Sequence, residues 1–131
     1  MMVKVELEPL TGSFSVCRLP AGAEPPAVPL EASLFALVVT SDEVSVVCPS
    51  GSEPAAAKVE GGWSAFRVAG TLDFGLVGIL SALTAPLAQA GISVFAVSTY
   101  DTDYLLVKTS QVAAARDALV AAGHRIGVAS W

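Results

Sequence analysis

Charge is scarce in this chain. Asp, Glu, Lys and Arg make up 15% of its 131 residues, against about 25% in an ordinary soluble domain. Surface that charge would normally solvate must be hidden in another way, and association with a second subunit is the simplest. Positive charge is scarcer still. Seven Lys and Arg stand against twelve Asp and Glu, a net charge of −5, so there is no basic footprint for nucleic acid or for an anionic membrane. Single-stranded nucleic acid is excluded as a partner on the same count. One histidine, His124, and two cysteines, Cys17 and Cys48, are too few to argue a transition-metal site. No Cys-x-x-Cys spacing occurs. The cysteines sit in separate apolar, strand-like runs and read as free buried thiols, with a disulfide left open until geometry decides it.

The residues of catalysis are missing in the same way. There is no Gly-x-Ser-x-Gly elbow, and Glu6, Glu8, Glu31, Glu43 and Glu53 form no paired-carboxylate motif. His124 follows a helix-ending Gly123, remote in sequence from every plausible nucleophile, and reads as a surface histidine. No catalytic role and no cofactor are expected. Met1-Met2-Val3-Lys4 leads straight into an alternating segment without a signal-peptide apolar region, which makes the cytoplasm the expected location.

What is present is one organising stretch, residues 70–108. Gly70-Thr71-Leu72-Asp73-Phe74-Gly75 is a glycine-bounded loop. Leu76, Ile79, Leu80, Leu83, Leu87 and Ala90 then recur at the spacing of one buried helix face, and Gly91 is the stop. Asp73 is placed to cap the helix or favour its dipole, leaving N–H groups near Gly75–Val77 to meet an anion. The opposite face, Gly78, Ser81, Ala82, Ala85 and Gln89, is small and uncharged, as a subunit interface would be. Residues 74–97 are apolar enough to suggest a membrane span. Pro86, Gln89 and Gly91, followed by the β-like Ile92–Val97, divide them instead into a buried helix and a buried strand. Pro86 is expected to kink the helix near Ala82.

Along the rest of the chain, Met2–Glu8, Ser13–Leu19, Leu34–Thr40, Glu43–Cys48, Trp63–Ala69 and His124–Ala129 read as strands. Ser41-Asp42 is a two-residue hairpin loop. The Pro/Ala/Gly-rich residues 20–29 oppose a long helix. Short helical pieces are expected at Pro29–Ser33 and Glu53–Val59. A second long helix follows Thr109 or Ser110 as cap, with Val112, Ala115, Leu119 and Ala122 inward.

The halves resemble each other. Leu34-Phe35-Ala36-Leu37-Val38-Val39-Thr40-Ser41-Asp42 and Val94-Phe95-Ala96-Val97-Ser98-Thr99-Tyr100-Asp101 each precede a strand and an expected Ala-rich helix, beginning near Ser52 and near Ser110. The predicted fold is α+β: ferredoxin-like βαββαβ units in tandem, with antiparallel sheets and helices on one face. Residues 1–62 would be a degenerate first copy and 63–131 the full one. Ownership of the strand Met2–Glu8 stays open.

Phe66-Arg67-Val68-Ala69-Gly70, Gly75-Leu76-Val77-Gly78, Leu87–Ser93 and Ser98–Tyr104 together resemble an ACT domain. The likeness is to small bacterial tandem-ACT proteins, whose units are similar to those of the cytosolic arginine sensors of animals and of aspartokinases. It is specific over 63–129 and weaker over 1–62. The resemblance implies a regulatory, amino-acid-binding module working as a dimer. The implied ligand residues are Leu72, Asp73, Phe74, Gly75, Leu76 and Val77 in the loop, and Thr99, Tyr100, Asp101 and Thr102 at the strand end. Thr40, Ser41 and Asp42 are the first copy's equivalents. A free amino acid would place its carboxylate on the N–H groups of Gly75–Val77 and its ammonium against Asp73, Asp101 or strand carbonyls, with Leu72, Phe74 and Leu76 around its side chain. A homodimer would form through the 76–90 helix face or the sheet edges. The competing readings are a pure interaction module of the same fold and, for Asp101 and Asp103, plain turn chemistry.

Overall fold

The computed structural model of the chain describes residues 3–70 and 77–127. In chain order the elements are β1 (Glu6–Pro9), β2 (Phe14–Pro20), β3 (Ala36–Val39), β4 (Glu43–Pro49), β5 (Lys58–Val68), α1 (Ile79–Gln89), β6 (Phe95–Ser98) and β7 (Asp103–Lys108). A 3-10 turn (Thr109–Gln111), α2 (Val112–Ala121) and β8 (Arg125–Ile126) complete the series. They fall into two compact units: residues 12–63, here the middle unit, and residues 1–11 with 64–131, here the composite unit. The N-terminal strand thus belongs with the C-terminal residues.

The composite unit runs β5 (its residues 64–68), α1, β6, β7, α2, β8, the ferredoxin-like order, with β1 added. Its strands lie in the order β6-β7-β5-β1-β8. β1 is antiparallel to β5, with Leu7 opposite Val68, and parallel to β8, with Leu7 opposite Ile126. Alternate strand residues Leu7, Phe66, Val68, Leu105 and Val107 pack with Ile79, Leu83 and Leu87 of α1 and Ala115 and Leu119 of α2. This is period two meeting period 3.6 across one core.

The helix α1 follows its apolar spacing, but Ala90 is exposed and Leu76 lies outside the described residues. The small face is exposed at Gly78, Ser81, Ala85 and Gln89 and half-buried at Ala82. Both helices end in the same way. Gly91 and Gly123 take left-handed φ values of 75° and 98°. Their amides reach Ala88 O and Val120 O, while the next amides, of Ile92 and His124, reach Leu87 O and Leu119 O. This is the Schellman arrangement, which turns the residue after the glycine back onto the helix. It corrects the expectation for His124, which is 3% exposed and belongs to the interior. A side-chain cap by Thr109 or Ser110 is also absent, the 3-10 turn and α2 having no side-chain cap bond. Thr109 Oγ1 instead shares a hydrogen bond with Ser64 Oγ at 2.9 Å.

The middle unit has strand order β3-β4-β2-β5, β5 contributing residues 58–63. β2 is antiparallel to β4 from Phe14–Pro49 to Pro20–Glu43, and β3 to β4 from Ala36–Val47 to Val39–Val44. Its inward residues Cys17, Leu19, Val44, Val46 and Cys48 are covered by Ala23, Phe35 and Ala57 from irregular segments. Neither short helix expected here forms. Residues 29–32 make a turn closed by Ala32 N to Pro29 O at 3.3 Å. Across 50–57, Pro54 lacks a donor, Gly51 has φ 98° and Ala56 φ 63°, values that no right-handed helix accepts. Glu53 instead folds back, its Oε2 accepting from Ser15 Oγ at 2.6 Å and its Oε1 from Gly51 N at 2.9 Å. Gly61 and Gly62 lie inside β5, which begins five residues before the predicted start at Trp63.

Both cysteines are free and buried. Cys17 stands opposite Val46 and Cys48 opposite Ser15, so the two thiols are diagonal neighbours on β2 and β4. Burial pushes the Cys48 thiol from 9.0 up to about 12, helped by the neighbouring Cys17. Burial also raises that of Cys17.

Candidate functional site

The candidate loop residues Leu72, Asp73, Phe74, Gly75 and Leu76 lie outside the described residues. Val77, the last of the series, stands just before α1 and is 85% exposed. The strand-end candidates form the tight turn between β6 and β7. Thr99 N donates to Thr102 O at 2.8 Å. Thr99 Oγ1 donates to that same carbonyl at 3.1 Å and accepts from Thr102 N at 3.2 Å. A threonine suits this position because its hydroxyl closes the turn alongside the backbone. Ser98 Oγ donates to Asp103 Oδ1 at 2.6 Å, so Asp103 serves the strand end. Tyr100 and Asp101 form the exposed tip.

Thr102 carries the long-range information. It is buried, and its Oγ1 donates to Val68 O at 2.7 Å. That bond pins the turn to the end of β5, two residues before Gly70 and the candidate loop. On the same strand Arg67 Nη1 meets Glu8 Oε1 at 3.0 Å and Nη2 donates to Gly70 O at 3.4 Å. Ala69 N donates to Glu6 O at 2.8 Å. The point where the chain leaves β5 is therefore held from three sides: β1, Arg67 and the 99–102 turn. Arg67 was not among the sequence candidates. The signal was there, because it is the only Lys or Arg between Lys58 and Lys108. A half-exposed ion pair of this kind contributes about 0–1 kcal/mol, so its interest is where it puts a guanidinium rather than stability.

Thr40, Ser41 and Asp42 lie on the middle unit's β3–β4 hairpin and are exposed. Thr40 repeats the role of Thr99: its N donates to Glu43 O at 3.0 Å, and its Oγ1 accepts from Asp42 N and Glu43 N at 3.1 Å each. Among the described residues, no cluster of three or more His, Cys, Asp or Glu could hold a metal, and no helix is long and apolar enough to cross a membrane.

Residues 58–121, from the start of β5 to the end of α2, match the ACT domain family. The chain carries an ACT domain. No curated protein matches the sequence. Among solved structures, protein Atu0741 from Agobacterium tumefaciens is similar at 33% identity over 98% of this chain and 96% of that one, with a TM-score of 0.90. The two chains belong to one family. The regulatory subunit of aspartate kinase from Thermus thermophilus shares the fold at 9% identity over 86% of this chain and 93% of its own, TM-score 0.61. Clostridium acetobutylicum aspartate kinase does so at 12% identity over 93% of this chain, TM-score 0.67, the match spanning 35% of the kinase.

Proposed function

We propose that this protein is an amino-acid-binding regulatory module, with the ligand held between residues 72–77 and the 99–102 turn. The observation that carries the reading is the Thr102–Val68 bond, which brings the turn to the strand end from which the ACT-domain loop departs. The ligand's carboxylate would take the amides leading into α1, and its ammonium the acidic tip at Asp101. In this reading the molecule descends from tandem ACT-like units, 1–62 and 63–131, the first having lost its helices and lent its leading strand to the second. It works in the cytoplasm as a homodimer through the 76–90 helix face or a sheet edge. Thr40, Ser41 and Asp42 keep the turn in the first copy. A second reading, an interaction module without ligand, is favoured by the exposed small face of α1 and by β3, whose Leu37, Val38 and Val39 are exposed.

Thermal unfolding against a panel of common amino acids separates the two. A native-state ligand stabilises by about 2.7 kcal/mol at a hundredfold excess over Kd. One responder whose shift disappears in Asp101→Ala is the expected result. No responder, in protein free of carried-over ligand, leaves the interaction module.

A further inference from the structure

Pro86 stands inside α1 and has no amide hydrogen, so the carbonyl of Ala82, four residues earlier, loses its helical donor. Ala82 is half-buried, and a carbonyl shielded from water and left in that state is costly. The donor comes from another part of the chain: His124 Nε2 lies 2.9 Å from Ala82 O. The other ring nitrogen, Nδ1, accepts from Val5 N at 3.2 Å. Because Val5 N–H can only donate, Nδ1 is bare, and the one proton of the neutral ring sits on Nε2, pointing at Ala82.

The placement follows from local rules. His124 is the residue after the Schellman glycine of α2, a position that packs against the helix and is commonly apolar. At the corresponding position of α1 the chain has Ile92, also buried. A polar residue there needs a reason, and the orphaned carbonyl of Ala82 is one. Val5 needs the ring equally. Its carbonyl accepts from Arg125 N at 3.0 Å, so main chain and ring of adjacent residues together extend the β1–β8 pairing one position past Glu6–Arg125.

We infer that Pro86 and His124 are a matched pair: the ring of His124 replaces the helix bond that Pro86 deletes, and so ties α1 to β1 and to the turn between α2 and β8. The first turn of α1, which the candidate loop enters, is anchored through this ring as well as through its own helix. His124 is a positioning residue for that helix.

The test uses the full chain. His124→Leu supplies the apolar residue found at Ile92 and is expected to lower the folding equilibrium constant roughly ten- to a hundredfold, since it orphans both Ala82 O and Val5 N. Pro86→Ala restores an amide to Ala82. In that background the same substitution should cost at least about fivefold less. Equal losses in both backgrounds would overturn the pairing. A single histidine also makes the ring visible without mutation, so a variant that fails to fold does not end the test. Nitrogen NMR of labelled parent protein should show a protonated Nε2 and a bare Nδ1, whereas a proton on Nδ1 at neutral pH would sink the inference.

Discussion

The hairpins β3–β4 and β6–β7 make one turn in two settings. Each has a threonine at its first position, Thr40 or Thr99, whose amide and hydroxyl bond to the residue three ahead. Each pairs the flanking residues in the same register, Val39 with Val44 and Ser98 with Asp103. They differ at the fourth position. Thr102 is buried and bonded to β5, whereas Glu43 is half-exposed. The covers differ more. Two helices bring Ile79, Leu83, Leu87, Ala115 and Leu119 onto the composite unit's strands, while Ala23, Phe35 and Ala57 from irregular chain pack on those of the middle unit. Equal turns do not need equal cores, because a turn is closed by its own backbone and a core by what lies over it.

That contrast can be broken in several places. The largest effect concerns the irregular cover: with its thiol pushed up to about 12, Cys48 should be alkylated near pH 8 about a thousandfold more slowly than a free thiol. Iodoacetamide labelling read by mass spectrometry checks this, and labelling at the free-thiol rate would mean that the coil cover opens. Next, one substitution made in both cores compares the covers directly. Leu83→Ala should cost about 3–4 kcal/mol and Leu19→Ala about 2 kcal/mol in denaturant unfolding, since looser surroundings relax more readily around a lost side chain. A larger loss at Leu19 would reverse the comparison.

The turns are separated by a smaller difference. Thr102→Val should cost about 1–2 kcal/mol, because it leaves Val68 O buried without its donor, and Thr40→Val under about 1 kcal/mol at an exposed site. The unfolding midpoints of the two variants decide it. Smallest is the contribution of Glu53. The Ser15 hydroxyl beside it holds its carboxyl below 4.5. A lowered folded value stabilises above 4.5 and is lost as pH falls through that lower value. Glu53→Gln should therefore weaken the protein at neutral pH, with the gap from the parent closing as pH drops below 4.5. A gap that stays constant with pH would remove this role.

Some of this is legible in the order of the amino acids alone. The apolar spacing of Ile79, Leu83 and Leu87, the stops at Gly91 and Gly123, and the hairpin loop Ser41-Asp42 are local matters of period and φ, and they stand. The Phe-Ala repeat was a poorer guide. With Thr40 and Thr99 superposed, Phe35 aligns with Val94 and Ala36 with Phe95, so the matching dipeptides are one residue out of step and on opposite faces. The common hairpin rests on the threonines and their bonds.

His124 shows where the boundary runs. Gly123 was legible as a helix stop, and the rule that the next residue turns inward would have placed His124 in the interior. Pro86 was legible as a lost bond. That the two losses meet at Ala82 was not, because residues 82 and 124 are brought together only by packing α1 against the end of α2. Likewise the chain alone determined the helices α1 and α2, the hairpin loop at Ser41-Asp42 and its shortage of charge, which depend on neighbours within a few residues. Tertiary structure alone decided that β1 joins the C-terminal residues, that Thr102 reaches Val68 and that one ring serves two backbones. Such pairings depend on distance in space, and a linear pattern holds no measure of that.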